Sequence, residues 1–521
     1  MPRRLKFTPM SHIEKKDARP VSFRIVDLFA GPGGLDVAAD VLGHQVTGIE
    51  WDKDACATRS AAGMDTFHGD VREYSAAHFP HAQVLTGGPP CQTFTVAGHG
   101  AGRRALDDVL RYIGRLHTAV RKDDAEWDSI SRTWQEISEE LGEKAAKAQK
   151  VKAEKREVEA LRSVERKAIK KSLQERGSSP EEIRGVLKVL RASRELELED
   201  GDLKHLIEEY SGLGVRLNNL KAKLEELGDE RTGLVLQPLW WVIERTRRPG
   251  LEPFEAVILE QVPAVMPVWE KYAEVLTTLG YRTRTQLMFT EAFGVPQTRK
   301  RAVLMARLGE PDIPEVAETH ERYRPLAVPA GSSAAEQADT LLWDAVEQRP
   351  DGTPRAAWVS MEAALKKARS LAPHLPDRPA FTVVSNYGTG GDPGARGRRD
   401  HDVPSATITG KVSRNRLVHK GTDTDLPDEF DRFTFAEAGV LQTFPVAYPW
   451  SGKDQPQQIG NAVPPRLALH VLRHVLEPEL TGEEARARLD RAVTDLETWQ
   501  PGKPVEVREH GQWEGHPLTG R

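Results

Sequence analysis

About twenty polar residues lead the chain, and residues 1–20 are expected to form a loose segment. From Phe23 the pattern becomes regular. Phe23-Arg-Ile-Val-Asp-Leu-Phe-Ala30 is an apolar run of strand length, Gly31-Pro-Gly-Gly34 a tight turn, and Leu35-Asp-Val-Ala-Ala-Asp-Val-Leu42 a helical stretch. A second strand, Gln45-Val-Thr-Gly-Ile49, ends at Glu50-Trp51-Asp52. A helix through Cys56 leads to Gly69-Asp70-Val71, and Ala82-Gln-Val-Leu85 runs toward Gly88-Pro-Pro-Cys91. Strands and helices alternating at these lengths predict a parallel, doubly wound α/β sheet.

The texture changes between about Asp123 and Leu227, where Glu, Lys and Arg dominate and apolar residues recur at helical spacing (Val151, Val158, Leu161, Val164, Ala168). Arg176-Gly-Ser-Ser-Pro180 breaks the run. Ser179-Pro180-Glu181-Glu182 has the capping-box pattern with proline at the first helical position. A returning arm then carries Ile183, Leu187, Leu190, Leu217, Leu220, Leu224 and Leu227, with interruptions expected at Gly201 and at Gly212/Gly214. Two arms of about fifty residues, each roughly 75 Å long, predict an antiparallel helical hairpin that returns the chain near its departure point. Its charges read as a solvated helix face, with binding of DNA or of a protein partner along 123–228 as the alternative.

The sheet pattern resumes with a helix from Leu234 and a buried strand, Phe254–Val262, which delivers Glu260 at its carboxyl end. In Phe293-Gly-Val-Pro-Gln-Thr-Arg-Lys-Arg301, two arginines precede another apolar strand. Arg299 and Arg301 would share one face of an extended chain. Residues 309–404 are rich in Pro, Gly and Arg with little periodicity, and Gly388–Asp400 reads as a basic loop. A helix from Arg466 and a polar tail after Trp499, expected to be poorly ordered, close the chain.

Composition narrows this picture only a little. The 521 residues allow two or three domains, and two cysteines, Cys56 and Cys91, exclude a disulfide framework and a four-cysteine zinc site. No run of about eighteen apolar residues predicts a membrane span. The start, Met1-Pro-Arg-Arg-Leu-Lys6, lacks the apolar core of a signal peptide, and with only two cysteines a cytoplasmic, reducing setting is expected. Net charge of −5 argues against a general polyanion binder but leaves room for a local basic face.

Several residues invite chemistry. Cys91 follows two prolines that stiffen the loop after a strand, where α/β sheets keep their reactive groups. It reads either as an activated nucleophile or as a small buried apolar residue. The glycine turn lets a ligand approach the backbone, and an acid at the end of the second strand, Glu50, is the usual grip on a ribose hydroxyl. Trp51 beside it suits an adenosyl or methionine group. Taken alone, the pair reads first as a strand-end acid and a core tryptophan. The basic loop Gly388–Asp400 suits phosphates or base edges, against the alternative of an ordinary mobile surface loop, and the Arg299/Arg301 pair on its own could be a surface salt-bridge cluster.

In order, these segments resemble the C5-cytosine DNA methyltransferase family. Asp27-Leu-Phe-Ala-Gly-Pro-Gly-Gly34 resembles its first motif and Gly88-Pro-Pro-Cys-Gln92 its nucleophile loop. Glu260-Gln-Val262, Gln297-Thr-Arg-Lys-Arg301 and Gln458-Ile-Gly-Asn-Ala-Val463 resemble later ones. The likeness covers about 22–108, 229–306 and 403–478. It implies a Rossmann-like doubly wound methyltransferase sheet with a long antiparallel helical hairpin insertion and a small, irregular target recognition domain. The divisions expected are a lead-in at 1–20, catalytic segments at 21–122, 229–306 and 403–485, the hairpin at 123–228, a recognition domain at 307–402 and a tail at 486–521.

The resemblance also implies roles. Cys91 would add to cytosine C6, Glu260 would supply or share a proton at N3 through a carboxyl raised in pKa by burial, and Arg299 and Arg301 would hold the O2 edge and a phosphate. S-adenosylmethionine would be the methyl donor, with no metal. It would lie against Phe29, Gly31, Gly33, Gly34, Glu50, Trp51, Asp70, Val71, Pro90, Leu234, Asn461 and Ala462, with the ribose on Glu50 and the adenine amino group on Asp70. The implied activity is methylation of a cytosine flipped out of double-stranded DNA, in restriction–modification or phage defence. An RNA cytosine methyltransferase and a catalytically silent DNA-binding relative are the alternatives. Two departures stand out. Gln261 replaces the family's asparagine and is expected to alter hydrogen bonding to the nucleophile loop, and Thr95 stands where serine is common.

Overall fold

A computed structural model of the chain describes residues 22–90, 101–122, 124–191, 201–227, 232–324, 354–385 and 397–512. It opens with β1 (Arg24–Leu28), α1 (Gly34–Val41), β2 (Gln45–Glu50), α2 (Lys53–Ala61), β3 (Asp65–His68) and β4 (Val84–Gly87). Then come α3 (Ala101–Val120) and the helices α4 (Trp127–Glu175), α5 (Pro180–Arg191) and α6 (Gly201–Leu227). α7 (Gln237–Arg247), β5 (Ala256–Gln261), α8 (Met266–Thr278), β6 (Tyr281–Phe289) and β7 (Lys300–Leu308) complete the middle of the chain. The remainder comprises α9 (Met361–Leu371), β8 (Phe381–Val384), β9 (Arg398–Asp400), β10 (Arg416–His419), α10 (Phe435–Leu441), α11 (Gln455–Asn461), α12 (Pro465–Leu476), α13 (Gly482–Thr498) and β11 (Arg508–Glu509).

Among the described residues the main sheet has the order β11-β3-β2-β1-β4-β5-β7-β6. Strand residues alternate between two apolar layers, as the two-residue period of a strand requires. Val26, Leu28, Leu85, Val257 and Leu259 pack with Val109, Tyr112, Trp241 and Trp269 of α3, α7 and α8. Ile25, Val84, Ala256 and Ile258 pack with Val37, Leu469 and Leu472 of α1 and α12. The sheet is thus doubly wound, as expected.

It is not wholly parallel. β7 runs antiparallel to both β5 and β6, because only a short connection joins β6 to β7 and a parallel return needs a crossover. The tail departs from expectation too. Residues 500–512 lie along the sheet edge, with β11 parallel to β3. Ser60 Oγ donates to the Val505 carbonyl at 2.6 Å, Arg508 pairs with Asp65, and its guanidinium lies 4.0 Å over the Phe67 ring. These contacts order a segment whose polarity alone suggested otherwise.

The hairpin is rooted on α3. Arg115 pairs with Glu136 at 2.7 Å, Arg111 with Glu140 at 2.9 Å and Asp108 with Lys144 at 2.6 Å, so α4 climbs antiparallel to α3 toward that helix's amino end. Trp134 stacks on Trp240 at 4.8 Å. Farther out Val158 meets Leu217 and Leu220, and Ile169 and Leu173 meet Ile183, Leu203, Ile207 and Tyr210. The Ser179 capping box forms: Ser179 N donates to Glu182 Oε2 at 2.7 Å, and Glu182 N donates to Ser179 Oγ at 3.3 Å. α6 runs unbroken through Gly212 and Gly214, contrary to expectation. At Gly214 the missing side chain leaves room for the Arg162 guanidinium, which lies over the Tyr210 ring.

A three-stranded sheet, β10-β8-β9, packs with α9 around Met361, Phe381, Ile408 and Leu417. Its strand β10 comes from beyond residue 402, across the boundary expected between the recognition domain and the closing catalytic segment. Of the basic loop Gly388–Asp400, residues 388–396 fall outside the described residues.

Candidate active site

β1, β4 and β5 are parallel neighbours, so their carboxyl ends open side by side, where such sheets bind ligands. Gly87 registers with Leu259, which sets Gly88 against Glu260: a Cβ at Gly88 would lie 3.7 Å from Glu260 Oε2. The loop toward Cys91 therefore leaves the sheet beside this carboxylate. Cys91 itself and Thr95 fall outside the described residues. Pro90 is half-buried at the loop's start.

Gln261, the departure in this motif, does reach the loop. Its Nε2 donates to the Pro89 carbonyl at 2.6 Å and its Oε1 accepts from Val262 N at 2.6 Å. The expectation of altered bonding resolves into one side chain that clamps two backbone positions.

Arg301 Nε forms a buried ion pair with Glu260. Burial lowers the Arg301 pKa, while the Glu260 charge and hydrogen bond pull it back up. The carboxylate thus rests on a cation, whereas the sequence suggested burial alone. Arg299, on the same side, is turned to the backbone: Nη1 donates to the carbonyls of Ile408 at 3.1 Å and Gly460 at 2.9 Å. Burial, then the neighbouring Arg301 charge, drives its pKa well below the usual arginine range. Gln297 ties the same strand start to the closing segment, accepting from Ile408 N at 2.8 Å and donating to Gln442 Oε1 at 2.9 Å.

The second group of expected residues lines the ends of β1, β2 and β3. Phe29 holds φ 62°, rare for a residue with a side chain, and Gly33 holds φ 101°, which favours glycine. The Glu50 carboxylate is fixed by two backbone donors, Gly31 N and Asp52 N, each at 2.7 Å. Burial raises its pKa, and those two donors oppose the rise. Trp51 is no core residue: 67% of it is exposed, on the strand end beside Glu50. Asp70 caps the turn at Val71, accepting from Arg72 N at 2.9 Å while ion-paired to the Arg72 guanidinium. Val71 is buried in the core, and Leu234 is half-buried in the turn before α7. Asn461 is exposed and accepts from Gln457 Nε2 at 2.9 Å, while Ala462 is buried. The next residue closes on the glycine turn, since any side chain at Gly34 would overlap the Val463 carbonyl.

Sequence reasoning missed the layer beneath. Asp27 is fully buried, accepts from Thr86 Oγ1 at 2.6 Å, and has its pKa raised to about 8 by burial, then by Asp36 and Glu50. Arg59 forms a buried bidentate pair with Asp36 (2.9 and 2.6 Å). Tyr448 donates to the Pro32 carbonyl and packs with Phe444 and Trp450. Of this layer, only the closely spaced aromatics Phe444, Tyr448 and Trp450 form a pattern in the sequence that could have pointed to it. Cys56 sits in this layer as well. Burial, then the Glu50 charge, pushes its thiol up to about 12, so it is an inert packing residue.

A glycine turn that meets a fixed carboxylate, beside a strand-end carboxylate held by arginine, gives this α/β sheet a polar face at the carboxyl ends of its strands, where such sheets bind ligands. The family model for C-5 cytosine-specific DNA methylase matches residues 23–113 and 255–477, and the chain belongs to that family. It is 35% identical over 112 residues to the Type II methyltransferase M.AplI of Arthrospira platensis, covering 21% of this chain and 32% of that protein. It is 27% identical over 207 residues to the Type II methyltransferase M1.HphI of Haemophilus parahaemolyticus, covering 38% and 49%. The matches thus span a third to a half of these relatives' length. Among solved structures, the S. pombe Dnmt2 methyltransferase aligns over 88% of this chain and 100% of its own, at 14% identity and a TM-score of 0.42. Among the described residues no helix is long and apolar enough to cross a membrane, and no cluster of three His, Cys, Asp or Glu has the makings of a metal site.

Proposed function

We propose that the protein transfers a methyl group from S-adenosylmethionine to C5 of a cytosine flipped out of double-stranded DNA, through a covalent bond to Cys91, in restriction–modification or phage defence. The observation that carries this reading is the meeting of Glu260, its partner Arg301 and the Gly88–Pro90 loop at two adjoining strand ends. Membership of the cytosine methylase family sets the reaction class.

The residues present fit the cofactor. A carboxylate held by two backbone donors keeps acceptor capacity for a ribose diol, and the exposed Trp51 ring offers an apolar face for the adenosyl group. Phe29, Gly31, Gly33 and Gly34 would border it, with Asn461 and Ala462 closing the pocket. Asp70 would bind the adenine amino group only in competition with Arg72. When bound, S-adenosylmethionine supplies the electrophilic methyl group.

C5 of cytosine is a weak nucleophile. Addition of the Cys91 thiolate to C6 makes C5 enamine-like. Glu260 holds the proton at N3 as charge builds on the ring, and Arg301 fixes that carboxylate in place. Arg299 positions rather than touches, joining the start of β7 to the carbonyls of Ile408 and Gly460. Loss of the C5 proton then expels Cys91.

Incubation with S-adenosylmethionine and oligonucleotides carrying 5-fluorocytosine tests the reading, because fluorine blocks the last step and traps the adduct. A stable protein–DNA adduct, absent from Cys91→Ser, is expected. An adduct on RNA alone would reassign the substrate, and none on either would reject methyl transfer through Cys91.

A further inference from the structure

The chain carries a net charge of −5, yet residues 144–171 of α4 hold eleven Lys and Arg against four Glu. Their arrangement matters more than the excess. At about 100° per residue, Arg156, Ser163, Lys167 and Lys170 fall within about 60° of one another on the helix surface. That face points away from the seam made by Val158 and Ile169 against α6 and α5. All four residues are exposed, and the four Glu, at 154, 157, 159 and 165, lie outside this arc. Glu154 is taken by Arg216 at 2.9 Å, and Lys155 reaches Glu159 at 3.7 Å. Arg156, Lys167 and Lys170 have no ion-pair partner among the described residues. A helix stabilised for solubility alone would intersperse both signs.

The hairpin's position gives this face a direction. α3 begins just after the nucleophile loop and descends beside the sheet, so its amino end marks the strand-end face where the candidate site opens. α4 climbs past that end, with Lys144 level with Asp108, and the return arm comes back beside it, where Arg104 donates to the Glu225 carbonyl at 3.3 Å. From Lys144 to Glu175 the helix extends roughly 46 Å farther. It therefore projects from the rim of the site rather than from the far side of the sheet.

We infer that the outward face of α4 is a second DNA-binding surface, which grips phosphates of duplex DNA beside the target through Arg156, Lys167 and Lys170. This rests on the proposed DNA substrate. An acidic protein is the competing occupant, but it would be served by a patch of any shape. Three cations spread over roughly 21 Å of helix match a charged backbone that carries a phosphate every few ångströms.

Two measurements test it on the full-length protein. In the first, fluorescence anisotropy with a 40-base-pair duplex follows affinity against NaCl concentration. Replacing Arg156, Lys167 and Lys170 together by Gln should make the log–log salt slope shallower by about two to three and weaken binding about ten-fold or more at low salt. The charge-keeping set Arg156→Lys, Lys167→Arg, Lys170→Arg should behave as wild type, and equal helical circular dichroism in all three proteins controls for folding. In the second, a photo-crosslinking residue at Ser163 should label the duplex at low salt, and one at Val215, exposed on the opposite arm, should not. An unchanged salt slope, or no label from Ser163, overturns the inference while leaving the DNA reading intact. Failure of the wild type to bind duplex DNA at all sinks the proposed substrate, and this inference with it.

Discussion

Gln261 Nε2 donates to the Pro89 carbonyl at 2.6 Å, joining the end of β5 to the loop that leads into Cys91. The same side chain accepts from Val262 N, so its amide is fixed at both ends. Gln261→Ala leaves the Pro89 carbonyl without this partner, a loss of about 1–2 kcal/mol. The expected result is an adduct rate on 5-fluorocytosine DNA about ten-fold lower, with the thermal midpoint lowered by only a few degrees. A rate equal to wild type would show that the clamp does not position the loop.

The Arg301–Glu260 pair is buried, so its two halves are unequal in consequence to their joint removal. Arg301→Met strands a carboxylate and should cost about 3 kcal/mol or more in urea unfolding. Adding Glu260→Gln should restore at least half of that stability while leaving methyl transfer abolished. Additive losses would contradict a direct interaction.

Gly34 tests the closing segment. An alanine methyl there would overlap the Val463 carbonyl, which belongs to backbone and cannot swing aside. Gly34→Ala should destabilise the fold by about 1–3 kcal/mol and weaken S-adenosylmethionine binding in calorimetry. Gly31→Ala, which meets no atom within 4 Å and carries only the backbone strain of φ 55°, should bind more tightly than Gly34→Ala.

What the sequence made legible was local. The strands that became β1, β2 and β4, the strand delivering Glu260 and the capped turn at Ser179 follow from patterns a few residues long and reappear in the structure, whereas the short β3 was not expected. The reversal of β7 was hidden because apolar content marks a strand but not its direction. The edge strand at Arg508 was hidden because its order comes from Asp65, Phe67 and Ser60, far away in sequence. Gly212 and Gly214 misled because glycine lowers helix propensity, whereas packing along α4 holds the helix through both. The Asp27–Thr86 and Arg59–Asp36 contacts joined residues that no spacing rule connects.

Asp27 should leave a pH signature. Its folded pKa, about 8, lies above the ordinary 3.8, so the folded chain holds a proton that the unfolded chain releases. Stability from this group is therefore fully present below about pH 4 and declines as pH rises toward 8. Asp27→Asn, neutral throughout, should lose less of its thermal midpoint between pH 5 and 8.5 than wild type. An equal loss in both proteins would mean that other groups set the alkaline limb.

Deleting the residues after Trp499 removes β11 and with it the Arg508–Asp65 pair and the cover over Phe67. A loss of about 1–2 kcal/mol, a few degrees in melting temperature, is expected. An unchanged melting curve would mean that the strand contributes nothing to the sheet.

The hairpin also bears on how this sheet assembles. β4 and β5 pair although about 170 residues of chain separate Val84 from Ala256. Joining ends so distant costs more configurational freedom the longer the intervening loop, by roughly 0.6 kcal/mol per doubling. α4, α5 and α6 make contacts that need only their own arms, so they can zip early and bring their two roots together, as the Arg104–Glu225 contact does in the finished fold. A chain that formed these arms first would meet the β4–β5 junction across a much shorter tether, and the insertion would then serve as a splint for the sheet it interrupts.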